Sequence, residues 1–123
     1  MNILLWVLQV ALALHTLVGA VWKFSHTAEQ TMPSLGAIPN RAWLTMAIIE
    51  ILCGIALLLP ALIKSLSIAI PIAALVIAAE MLLFCGVHIA SGNISNVGPM
   101  MYWLVVAALC AFIAYGRLVL QPL

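Results

Sequence analysis

Charge is what this chain has least of. Four basic and three acidic residues among 123 amount to 6%, where soluble domains carry about 25%. With 67% of its residues hydrophobic, such a chain cannot cover a water-facing surface, which excludes an ordinary soluble domain. Runs of lysine or arginine are also missing and the net charge is only +1. No nucleic-acid partner is therefore expected, and no acidic-lipid patch is marked. Cysteine is scarce too: Cys53, Cys85 and Cys110 are odd in number, form no C-x-x-C and each lie in an apolar run. That pattern argues against dithiol redox chemistry and a structural zinc, and fits small buried core residues.

What the chain has in abundance is apolar sequence of bilayer length. A hydrocarbon core about 30 Å thick needs about 20 helical residues to cross it, and four segments qualify: 2–22, 41–59, 66–88 and 99–117. The fold predicted is all-α, a four-transmembrane-helix bundle forming a single integral membrane domain over residues 1–123. The first segment lacks a basic leading region and a convincing small-x-small cleavage site, so it is expected to be a retained span. It closes on Trp22-Lys23, an interfacial aromatic followed by a cation.

The connections carry their own punctuation. Thr27 with Gln30 resembles a capping box for one short helical turn, and Pro33, Gly36 and Pro39 break any continuation. Asn40 is expected to N-cap the second span and Pro60 to stop it, with Lys64 marking the following turn. Pro71 removes an amide early in the third span, which is expected to free the carbonyl of Ser67 and kink the helix. Residues 92–98 form an uncharged, turn-rich loop whose Asn93-Ile-Ser95 sequon is expected to be a chance match. Pro99 suits the first position of the fourth helix, and Tyr102-Trp103 suits an interfacial belt.

Four spans put both termini on one side. The opposite, or mouth, face carries Lys23 and Arg41, while the terminal face carries Lys64, Arg117 and the terminal amine. This count favours cytoplasmic termini in a plasma (inner) membrane.

Against this apolar background Glu50 stands out, near the middle of the run Ala42 to Leu59. A carboxyl there has no water to solvate it, so it must be neutralised, paired or put to use. Depth gives it company. His15 is eight residues before Lys23, Glu50 nine after Arg41 and Glu80 eight before His88, which places all three roughly 12 to 14 Å below the mouth face. Ala11, His15 and Gly19 share one helix face and Glu50 and Gly54 another, leaving room for close helix approach or for a ligand. On the fourth helix the same depth falls near Ala107 and Ala108, with Ala111 one turn on, offering volume. Lys23, Arg41, His88, Tyr102 and Trp103 are expected to line the entrance. Simpler roles compete: an interhelical hydrogen bond for His15 with Glu50, a protonated acid at an interface for Glu80, and snorkelling or belt positions for the rest.

The ordered set Lys23, Leu35-Gly36, Pro39, Glu50-Ile-Leu-Cys-Gly54, Pro60, His88, Pro99 and Ala114-Tyr115-Gly116-Arg117 resembles the DoxX-like family of small four-helix membrane proteins. The resemblance spans nearly the whole chain. It implies a four-span helical bundle and a loose association with membrane redox chemistry, since some relatives are subunits of a thiosulfate:quinone oxidoreductase. Lys23, Glu50, His88 and Arg117 match the family's polar pattern; Glu80 and His15 do not belong to it.

Three functions stay open. The first is a site for a quinone or other hydrophobic small ligand, formed by Glu50, His15, Glu80, Lys23, His88, Arg41, Tyr102 and Trp103, in an accessory component of membrane redox chemistry. No haem, flavin or metal motif accompanies it, so the electron carrier would be the ligand or a redox partner. The second is a non-enzymatic scaffold or assembly subunit, for instance in a homo-oligomer. The third is proton-coupled transport of a small molecule, for which four helices would need to dimerise and no inverted repeat is visible.

Overall fold

The computed structural model describes residues 2–31, 35–63, 65, 67–92 and 97–120. In lipid every backbone donor and acceptor must be satisfied within the chain, and a helix does this without help from a neighbour. The long apolar segments accordingly form α1 (Asn2–Ser25), α3 (Asn40–Leu58), α4 (Ala69–Ala90) and α5 (Gly98–Tyr115), with the short α2 (Ala28–Thr31) between the first two. Each of the four long helices is long and apolar enough to span a membrane. No strand occurs among the described residues.

The punctuation is partly as expected. Gln30 N–H donates to Thr27 Oγ1 at 3.2 Å and Thr27 N–H to Gln30 Oε1 at 2.9 Å, the reciprocal pair of a capping box at the start of α2. Pro99 occupies the first turn of α5, and Pro60 turns the end of α3 into a 3-10 turn, Leu59–Ala61. Asn40 is not the N-cap of α3. It is the first helical residue, and Pro39 holds the cap position without a side-chain hydrogen bond. Pro39 is locked near the φ that the cap needs, at −61°, so the backbone turns without an Asn side chain. Pro71 does not interrupt α4, because the helix starts at Ala69 and the proline falls in its first turn, where amides have no intrahelical partner. The Ser67 carbonyl is not freed; it accepts from Ile70 N–H at 3.2 Å. Pro33, Lys64, Leu66 and the Asn93–Ser95 sequon lie outside the described residues.

α1 packs chiefly on α3, α4 on α5, and α3 on α4, while α1 and α5 touch at only a few places. The bundle is thus a ring with one loose seam. Gly54 lets α1 approach α3: a Cβ there would stand 2.7 Å from Leu17 Cδ2 and 2.8 Å from its Cγ. One buried apolar cluster takes Leu12 and Ala13 from α1, Trp43 and Leu57 from α3, Ile77 and Phe84 from α4, and Cys110 and Ile113 from α5. All three cysteines are free and buried. Ile3, Val7, Leu52, Leu75 and Val105 point outward, as suits a surface solvated by acyl chains.

Candidate functional site

The buried charges of α1, α3 and α4 converge inside the bundle. The Lys23 side chain, at the last turn of α1, turns inward instead of towards the mouth face and is 7% exposed; Glu50 is 3% and Glu80 7% exposed. Lys23 Nζ donates to Glu50 Oε1 at 2.9 Å and lies 2.8 Å from Oε2. The ammonium also sits over two aromatic faces, 4.7 Å from the Trp43 ring centre and 5.5 Å from that of Phe84. Ring quadrupoles and the carboxylate together replace the water a buried ammonium has lost. Glu80 lies near enough to Glu50 for the two carboxyls to interact electrostatically. Both Glu80 oxygens are buried, with no N–H or O–H donor from another described residue. Two carboxyls and one ammonium are thus gathered in one buried cluster, where each charged group needs a partner.

Beside this cluster, in the gap where α1 and α5 separate, lies a cavity of about 730 Å³. Its walls are mostly apolar: Leu14, Val18 and Gly19 from α1, Ile77, Met81 and Phe84 from α4, and Trp43 from α3. Lys23 and Glu50 join His15, Thr16, Thr31 and Tyr102 as its polar lining. Gly19 leaves space, since a Cβ built on it meets nothing within 4 Å. The ring of His15 hydrogen-bonds the hydroxyl of Tyr102, joining α1 to α5 across the gap. Towards the mouth face Trp22, Thr31 and Leu35 join the lining. Trp22 Nε1–H donates to Thr31 Oγ1 at 2.8 Å, Trp22 stacks on His26 at 3.6 Å, and Trp43 Nε1–H donates to the His26 carbonyl at 2.8 Å. Leu35, 2% exposed, adds an apolar plug.

The residues marked out by sequence divide into three groups. Glu50, Lys23, His15, Tyr102 and Trp103 line the cavity. Glu80 and His88 stand behind the lining, His88 packing edge-on against Trp103 with ring centres 5.7 Å apart. Arg41 is exposed and takes no part in the lining. His15 does not pair with Glu50, because the flexible Lys23 stem brings a full charge to that carboxyl and the imidazole turns to Tyr102 instead. The small residues foreseen on the fourth helix do not contribute: Ala107 is in the core, while Ala108 and Ala111 face outward. Sequence reasoning passed over Trp43 and Phe84, whose apolar character gave no sign that they cage a cation.

A second polar contact closes the far end of the bundle. Arg117 Nε–H donates to Gln9 Oε1 at 2.5 Å, Gln9 Nε2–H donates to the Leu57 carbonyl at 3.2 Å, and the guanidinium lies 5.2 Å from the Trp6 ring. Gln9 was missed too. Its signal was available, an amide inside an apolar run that needs a partner as much as a carboxyl does.

These features define a membrane-spanning four-helix bundle with a buried Lys–Glu–Glu cluster beside an apolar cavity. The family model described as the DoxX-like family matches residues 7–112, and the chain belongs to that family. No curated protein and no solved structure matches it.

Proposed function

We propose that the cavity holds a quinone or another membrane-dissolved molecule with a polar head, and that the protein serves as an accessory component of membrane redox chemistry. The observation that carries this reading is the Lys23–Glu50 pair in the wall of a mostly apolar cavity of about 730 Å³. Ligand sites combine these two features, apolar walls for affinity and a few fixed polar groups for orientation. A packing scaffold has no need of such an opening. The donor set suits an oxygen head: the Lys23 ammonium can offer a hydrogen bond to a carbonyl or phenol oxygen, and the Glu50–Glu80 pair can hold or release a proton beside it. Electrons would come from a membrane partner, since proton exchange and positioning are what these side chains supply.

The test uses detergent-purified protein. Mass spectrometry of an organic extract is expected to find a quinone or similar amphiphile at near-stoichiometric amount, and added ubiquinone-1 is expected to raise the melting temperature. Glu50→Gln, which loses the charged partner of Lys23, is expected to weaken ubiquinone-1 binding by about tenfold or more, the scale of one charge-assisted hydrogen bond. Extraction of bulk phospholipid alone, with no thermal shift from ubiquinone-1, rules the reading out.

A further inference from the structure

We infer that the cavity is loaded sideways from the bilayer, through the seam between α1 and α5, with the His15–Tyr102 hydrogen bond as a crossbar that the ligand's head displaces. Three observations converge on this. At the mouth face bonded groups tie the described ends of the α1–α3 connection together, Trp22 to Thr31 and Trp43 to the His26 carbonyl, with buried Leu35 beside them. The seam is the least packed junction of the ring, and its flanking cavity residues are exposed, Leu14 by 57%, Val18 by 70% and Tyr102 by 49%. Gly19 keeps the gap free, since no side chain fills the space above its backbone.

The crossbar has a chemical consequence. In hydrocarbon an unpaired imidazole or phenol is costly, so His15 and Tyr102 satisfy each other while the seam is closed. A head group carrying its own donor or acceptor can replace that bond as it passes, whereas a plain hydrocarbon cannot. The seam therefore admits amphiphiles with an uncharged hydrogen-bonding head and discriminates against bare acyl chains. Beyond the head, the tail stays in the bilayer. Selection acts on the head, and tail length is left unread, because a tail that leaves through an open seam meets no end wall.

This inference rests on the quinone reading above, and the experiment separates the two. The protein is placed in phosphatidylcholine nanodiscs, and quenching of its tryptophan fluorescence is followed as ubiquinone-1, ubiquinone-2 and ubiquinone-10 are titrated, with concentration expressed per lipid. Trp22, Trp43 and Trp103 all line the cavity, so an occupant quenches them directly. All three quinones are expected to bind with affinities within about threefold of one another, and Gly19→Phe, which closes the seam where there is room for the ring, is expected to weaken all three by at least about tenfold with the melting temperature kept. Binding of ubiquinone-1 with rejection of ubiquinone-10, or Gly19→Phe binding ubiquinone-10 as tightly as the native chain, overturns lateral loading and leaves the quinone site standing. No saturable quenching by any of the three overturns both.

Discussion

At the scale of single residues, the cluster's arrangement decides how substitutions there behave. Lys23 has two carboxyls close by, Glu50 in direct contact and Glu80 against Glu50. Removing one acid leaves the other able to balance the ammonium, while removing both strands a buried cation, and an uncompensated buried charge costs about 3–5 kcal/mol. Glu50→Gln and Glu80→Gln are each expected to be mild, within about 1–2 kcal/mol, with the double variant exceeding their sum by about 1–3 kcal/mol. Thermal melts of the four proteins in one detergent supply the cycle. An additive result would mean that the two acids do not share the role of counter-ion. The aromatic cage gives a second check: Phe84→Leu removes one ring face from the ammonium and is expected to lower stability by about 1–3 kcal/mol, of which roughly 0.5–2 kcal/mol is the cation–ring contact. A smaller loss for Phe84→Leu in a Lys23→Met background than in the native chain would isolate that contact. An equal loss in both backgrounds would assign the whole of it to packing.

At the scale of elements, the helices were the most legible part of the sequence, because an apolar run of bilayer length has one economical way to satisfy its backbone. Starts were less legible than stops. Asn40 carries the side chain of a cap, yet the fixed φ of Pro39 performs the turn, and Pro71 reads as a helix breaker only until the true start at Ala69 places it in the first turn. Helix pairing was legible at Gly54, where a small residue one turn from Glu50 does bring two backbones together. Its counterpart Gly19 serves the opposite purpose, leaving space open. Two glycines on equivalent faces thus differ by what stands across from them, which no single-chain pattern contains. Gly54→Ala forces Leu17 to move and is expected to cost about 1–3 kcal/mol, as overpacking of a close junction does. Adding Leu17→Ala is expected to recover part of that loss. If the double variant melts no higher than Gly54→Ala, the α1–α3 contact is not what limits that position.

At the scale of the whole molecule, counting residues from the mouth face found a common layer because depth along a helix is nearly linear in sequence. Rotation about each helix axis and the reach of a long side chain are not linear in anything the sequence prints. That is why Glu50 and Glu80 come together as their depths suggest, while Lys23, placed at the rim by its backbone, delivers its ammonium to the layer, and His15, placed in the layer, turns to Tyr102. The same distinction bears on orientation. A count of basic residues gives Lys23 and Arg41 to the mouth face against Lys64 and Arg117 to the terminal face, an even balance. Lys23, moreover, is paired within the bundle with Glu50, so its loss does not shift that balance towards the mouth face. The terminal amine tips the balance to the terminal face, and the side richer in positive charge is the one retained in the cytoplasm. A green fluorescent protein fused after residue 123 is therefore expected to fluoresce in cells, and alkaline phosphatase at the same place to stay inactive, with Lys23→Met leaving both signals unchanged. Active phosphatase on the native chain would reverse the orientation, and a signal inverted by Lys23→Met alone would show that its charge acts during insertion, before the pair with Glu50 has formed.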